Sequence, residues 1–254
     1  MSIFAAGSWS ASLAAAADLA TPVTDPAWTQ AVLVVTPDWE ASQGTLTAFE
    51  RDAGGGWRQR GSGHPVMIGR KGCAWGRGLH PDPVGGPRKR EGDKRSPAGV
   101  FTIGPAFGVP ATCATGLEYL ALSVDDWCVD VPDSPLYNRI VSTRDVGVAA
   151  VAGSTEPMRR DLHLGGDQSY ALGFVIGHNC GCEPGAGSCI FAHLTDDPPG
   201  PTAGCIAMDE EHLRALLEWL RADAHPRLVL LPAAEAAARA SEWGLPPPPR
   251  DPHP

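Results

Sequence analysis

Short apolar runs punctuated by glycine, proline or aspartate dominate the chain, and one stretch alone carries a clear helical period. β-Branched, aromatic and other apolar residues gather at 30–35, 44–50, 65–69, 99–103, 119–124, 170–176 and 188–194, each run bounded by turn formers, and each predicts a strand. A turn at Pro37-Asp38 separates the first two, and the run from Arg227 to Pro232 predicts a last buried strand. The helical stretch begins after Met208. Leu213, Leu216, Leu217 and Leu220 recur at i, i+3, i+4 and i+7, Asp209 is placed to cap the first turn, and Glu210 and Glu211 suit its positive end. One apolar helix face then packs on a sheet. The pattern predicts a mainly β domain with a few helices.

Composition agrees with many strands and turns: 30 glycines and 25 prolines among 254 residues are too many for a helical protein. The expected division is a leader or disordered N-terminus at 1–27, one domain at 28–232 and a C-terminal tail at 233–254. The alanine-rich run at 11–20 reads as a weak export leader, because no Lys or Arg precedes it and it lacks a long Leu/Val block. No later apolar run approaches 18 residues, so no membrane span is expected. A net charge of −9 and a pI near 5.3 argue against a nucleic-acid surface. Glu91 and Asp93 dilute the basic cluster at 88–95, which leaves at most a local anion site.

The chemistry concentrates late in the chain. Ser188-Cys-Ile-Phe-Ala-His193 ends an apolar run on a histidine, and Pro201-Thr-Ala-Gly-Cys205 places a glycine-preceded cysteine twelve residues on, across a hairpin-like return. A thiol of ordinary pKa, about 8.5, is mostly protonated at neutral pH, so it needs a neighbouring base such as His193 to become a nucleophile. Gly204 permits a tight turn that would aim its own N–H and that of Cys205 at an oxyanion. Taken alone, such a cysteine is more often a small buried apolar residue, and such a histidine a polar strand end.

The surrounding words change that balance. Gly187-Ser-Cys-Ile-Phe-Ala-His193 followed by Pro201-Thr-Ala-Gly-Cys205 resembles the catalytic core of the L,D-transpeptidases, the YkuD-type domain. Ser96-Pro-Ala-Gly-Val-Phe101 is similar to that family's Thr/Ser-Pro-x-Gly-x-Phe segment, and 128–138 and 69–79 resemble segments of one divergent branch, so the likeness spans about 28–232. It implies a mainly β, sandwich-like fold with a few helices, one of them following the cysteine, a peptidoglycan stem peptide as partner, Cys205 as nucleophile, His193 as base oriented by the carbonyl of Leu194, and no cofactor. Two positions depart from the commoner pattern: Ala203 stands where most members have a histidine, and Ala207 where they have a carboxylate-binding arginine. Another cation is then needed, with Arg90, Lys89 and Arg139 as candidates; His178, Asn179 and Thr202 are expected to line the substrate pocket. The resemblance leaves open an L,D-carboxypeptidase, in which water resolves the thioester, or a non-catalytic wall-binding or metal-stabilised domain.

Of the seven cysteines, six remain once Cys205 is set aside, enough for three disulfides, and Cys113 with Cys128 is the favoured pair. The rival is a metal held by His178, Cys180, Cys182, Cys189 and His193, disfavoured because Cys-x-Cys is a poorer clamp than the usual structural-zinc spacing. His64, His80, His163, His212, His225 and His253 read as surface residues.

Overall fold

A computed structural model describes residue 25 and residues 27–247. The alanine-rich run at 11–20, and residues 248–254 with His253, lie outside the described residues. The strands are β1 Gln30–Thr36, β2 Gln43–Arg51, β3 Trp57–Met67, β4 Cys73–Trp75, β5 Ser96–Gly108, β6 Tyr119–Ala121, β7 Asp126–Cys128, β8 Ile140–Ser142, β9 Glu156–Pro157, β10 Leu172–Ile176, β11 Phe191–Leu194, β12 Ile206–Met208 and β13 Arg227–Pro232. The helices are α1 Thr143–Val146, α2 Arg160–His163, α3 Glu210–Trp219 and α4 Ala233–Arg239. The domain is mainly β, as the pattern of apolar runs predicts.

The main sheet runs β10-β11-β12-β3-β2-β1-β13-β5-β4, with β6 also on β5. Because β10 pairs with β5 as well as β11, the sheet folds back on itself and closes. Its core is filled by Val32, Leu33, Val34, Phe101, Phe174, Leu228 and their neighbours, all nearly or wholly buried. A separate three-stranded sheet, β8-β7-β9, lies outside that path. Its strands of two or three residues are too short to show alternation, which is why the apolar pattern does not reveal them.

Helix α3 forms where its period predicts. Asp209 Oδ1 accepts the N–H of His212 at 3.0 Å, and Leu213, Leu216, Leu217 and Trp219 are buried where α3 packs on β10 and β11. Burial of each leucine contributes roughly 2 kcal/mol before ordering costs.

Two expectations are corrected in the fold. His80 is buried: its Nδ1 accepts the N–H of Val100 at 3.0 Å and its ring lies among Phe101, Trp75 and Trp243. Gly99, at φ +137°, makes this possible, since a Cβ there would stand 2.0 Å from the imidazole. Trp243 and Leu245, assigned to a tail, are buried in the core, with Arg239 over the Trp75 ring at 4.9 Å.

The disulfide is also not the favoured one. Cys128 bonds to Cys189, 61 residues away, while Cys113 is a free thiol in the connection between β5 and β6. The bridge joins the small sheet to the segment entering β11. Closing a loop of that length contributes up to about 4 kcal/mol in the chain-entropy account. Cys128→Ser should therefore lower the melting temperature by roughly 10 °C, read by circular dichroism; an unchanged melting curve would contradict a stabilising role.

Candidate active site

Strands β11 and β12 run parallel, with Ala192 opposite Ile206 and His193 opposite Ala207. The expected hairpin-like return is thus corrected to a crossover. Alternation along each strand puts Phe191, His193, Cys205 and Ala207 on one face, with Cys205 diagonal to His193. Both residues are only 9 % exposed, and both line one cavity of about 200 Å³.

The segment entering Cys205 is held at several points. Thr202 Oγ1 donates to the Cys205 carbonyl at 2.7 Å and accepts the Gly204 N–H at 3.0 Å. Ser96 Oγ donates to the same carbonyl at 3.0 Å, and the Arg70 N–H donates to the Thr202 carbonyl at 3.0 Å. Gly204 is required here: its φ is +156°, and a Cβ would press on the Arg95 carbonyl oxygen at 3.1 Å. The sulfur itself accepts the Phe191 N–H at 3.4 Å and faces the Cys189 carbonyl at 3.5 Å.

His193 Nδ1 lies 2.8 Å from the Leu194 carbonyl oxygen. A carbonyl only accepts, so Nδ1 carries the proton and Nε2 keeps its lone pair. Burial is the main cause that lowers the His193 pKa to about 4, against the Leu194 carbonyl, which favours the charged ring. Burial likewise pushes the Cys205 thiol up to about 12; the nearby Glu156 adds to this and the Phe191 N–H opposes it. Near neutral pH the resting pair is an uncharged thiol and an uncharged imidazole. Such a pair can react by passing the proton to Nε2 as sulfur attacks.

A model of the YkuD L,D-transpeptidase catalytic domain matches residues 56–229. The chain belongs to that family. Neither curated proteins nor solved structures gave a match. L,D-transpeptidase-family proteins are generally associated with the cell wall or exported. Among the described residues of this member, no helix is long and apolar enough to cross a membrane.

The other residues expected to meet substrate divide among three places. Thr202 lines the Cys205 cavity. Lys89 and Arg90 line a different cleft, with Asp82 and Glu183. Lys89 is buried there, its Nζ donating to Asp93 and to the Arg90 carbonyl at 2.6 Å each, so its charge is already used. Arg139 and His178 line a third cavity, beside the disulfide. His178 Nδ1 accepts the Arg77 N–H at 3.2 Å and Nε2 faces the Ala186 carbonyl at 3.0 Å, while burial lowers its pKa to about 3. Asn179 binds Glu183 and Gly187 through its amide and shapes the 179–187 loop. With Cys189 in the disulfide and both His178 nitrogens engaged, the rival metal set is not assembled. Among the described residues, no group of three or more His, Cys, Asp or Glu is placed to hold a metal ion.

The sequence reading missed the cavity's opposite wall. Glu156 of β9, Arg160 of α2, Asp167 and Tyr170 line it, together with Arg70. Arg160 is held by Glu156 at 3.4 Å and Asp167 at 2.7 Å. Arg70 is exposed and its guanidinium forms no ion pair among the described residues. No sequence signal pointed there: Glu156 and Arg160 are four residues apart, but Glu156 lies on β9 and not on a helix, so the spacing alone does not predict their pairing.

Proposed function

We propose that this protein is a peptidoglycan L,D-transpeptidase that carries the stem peptide as a Cys205 thioester. The observation that supports this is the neutral His193, with Nε2 unprotonated, sharing one face and one cavity with Cys205. In this reading Cys205 sulfur attacks the carbonyl joining an L-centre to a D-amino acid while its proton passes to His193 Nε2. The Gly204 N–H already donates to Thr202, so the Cys205 N–H is the donor left for the oxyanion. Collapse of the tetrahedral intermediate breaks the C–N bond, and His193 returns the proton to the departing amine. An acceptor amine then attacks the thioester, gives its proton to His193, and releases the cross-linked product and the thiol.

Arg70 is the cation we assign to the substrate carboxylate that Ala207 cannot bind. A charge-assisted bond of this kind is worth about 1.5–3 kcal/mol. Arg70→Ala should therefore raise KM for the donor roughly tenfold or more and leave kcat nearly unchanged; equal KM values would remove Arg70 from this role. The same reading puts the protein outside the cytoplasmic membrane, which cell fractionation checks.

Incubation with a stem tetrapeptide, with and without an amine acceptor, followed by mass spectrometry of the products, tests the activity. A cross-linked product with release of the terminal D-amino acid is expected. The shortened stem peptide alone would make the enzyme an L,D-carboxypeptidase, and no released D-amino acid would contradict both.

A further inference from the structure

The Tyr170 hydroxyl donates to Glu156 Oε2 at 2.7 Å, and Tyr170 lines the same cavity as Cys205 and belongs to the same buried cluster. Its ring meets His193 edge to face at 5.3 Å, and the Arg160 guanidinium lies over the ring at 4.9 Å from its centre. Tyr170 is 4 % exposed, and neither it nor Glu156 has a part in the Cys205–His193 exchange described above. A buried phenol paired with a half-buried carboxylate beside a nucleophile needs a reason, because desolvating such groups is costly unless they are paired.

From this arrangement we infer that Tyr170 is a third catalytic residue, whose hydroxyl turns from Glu156 to the Cys205 sulfur as the thiolate forms, with Glu156 and Arg160 positioning it. The phenol has one proton and cannot donate to both partners fully. While Cys205 is a thiol, the carboxylate is the stronger acceptor and holds that proton. Once the thiol proton is on His193, the sulfur is anionic and competes for it, and Arg160 remains to balance Glu156. The phenol thus supplies the sulfur with a second donor besides the Phe191 N–H, in a cavity that is also lined by Ala203, which stands where the commoner motif has a histidine.

The two wall residues then act on the thiolate with opposite signs. Tyr170 stabilises it by donating; Glu156 disfavours it by its charge. The other charged or titratable groups in the cavity are His193 from β11, Arg160 and Asp167 from α2 and the turn after it, Asp196 from the loop after β11, and Arg70 from the turn after β3. All of these stay in place in both variants below.

The test is alkylation of the full-length protein by iodoacetamide between pH 7 and 11, with the Cys205-containing peptide followed by mass spectrometry. In this reaction the sulfur–carbon bond forms, the carbon–iodine bond breaks, iodide leaves and the thiol proton is lost to His193 or solvent. Below the thiol midpoint the rate follows the thiolate fraction. Tyr170→Phe should slow Cys205 alkylation about tenfold at each pH, and Glu156→Gln should speed it about tenfold, each a displacement of about one pH unit. Both changes conserve shape, and circular dichroism melting verifies that each variant is folded. A purely structural role would move both rates the same way, and that result, or a Tyr170→Phe rate equal to the unaltered protein's, would overturn the inference. Alkylation needs no stem peptide, so the outcome is independent of whether the proposed wall substrate is correct.

Discussion

Cys205→Ala should abolish acyl transfer, by a factor of at least about 10³, while costing only about 1 kcal/mol of stability. The rate loss follows because Cys205 is the cavity's only thiol among the described residues, and what remains without it is catalysis by binding and the oxyanion donor. The stability cost is small because the change removes one sulfur from a cluster that keeps Phe107, Leu122, Met158, Tyr170 and Phe191 in contact. Turnover of a stem-peptide donor, followed beside a thermal melt, separates the two effects. Retained turnover in a folded variant would refute the nucleophile.

A comparably large effect is expected at His193, and its pH dependence has a definite sign. With the pKa lowered to about 4, the imidazole is unprotonated and able to accept the thiol proton throughout the neutral range. Acylation should therefore stay nearly flat down to about pH 5 and fall as the pH drops through about 4, whereas an ordinary histidine would lose activity near pH 6.5. His193→Gln should lower the neutral-pH rate by about 10³ or more, with the deficit shrinking as the pH rises toward the thiol value of about 12. Folding sets a companion limit. His178 and His193 both have lowered pKa values in the folded state, so their protonation favours unfolding. Their contribution to stability is complete above about pH 6.5 and is lost as the pH falls from there toward 4 and 3. Rates below pH 5 must accordingly be read together with circular dichroism. An acid limb near pH 6.5 in fully folded protein would contradict the buried neutral base.

What could be read from the sequence was whatever depends on near neighbours. The apolar runs at 30–35 and 44–50 became β1 and β2, and the leucine period with Asp209 became α3, because burial of one face and a local cap decide those elements. The words around His193 and Cys205 led to two residues that share one cavity. The long-range pairings were not legible. Whether the segment after His193 returns antiparallel or crosses over to pair in parallel depends on β3, which supplies the next strand through Met67 opposite Ala207. Glu156 and Tyr170 come from segments with no motif: Glu156 is carried by the small sheet that the unforeseen Cys128–Cys189 bridge ties to the segment entering β11, and Tyr170 by the turn that enters β10 of the main sheet. Lys89 looked like an anion-binding cation because composition shows charge but not pairing; in the fold, Asp93 already neutralises it.

Intact-mass spectrometry after incubation with a carbapenem, a strained β-lactam acyl donor, asks whether Cys205 is a live nucleophile in this scaffold. A single covalent adduct that maps to Cys205 and is absent from Cys205→Ala is the predicted result. An unmodified folded protein, or an adduct on Cys113, Cys180 or Cys182 instead, would contradict the assignment of Cys205 as the acyl-carrying residue.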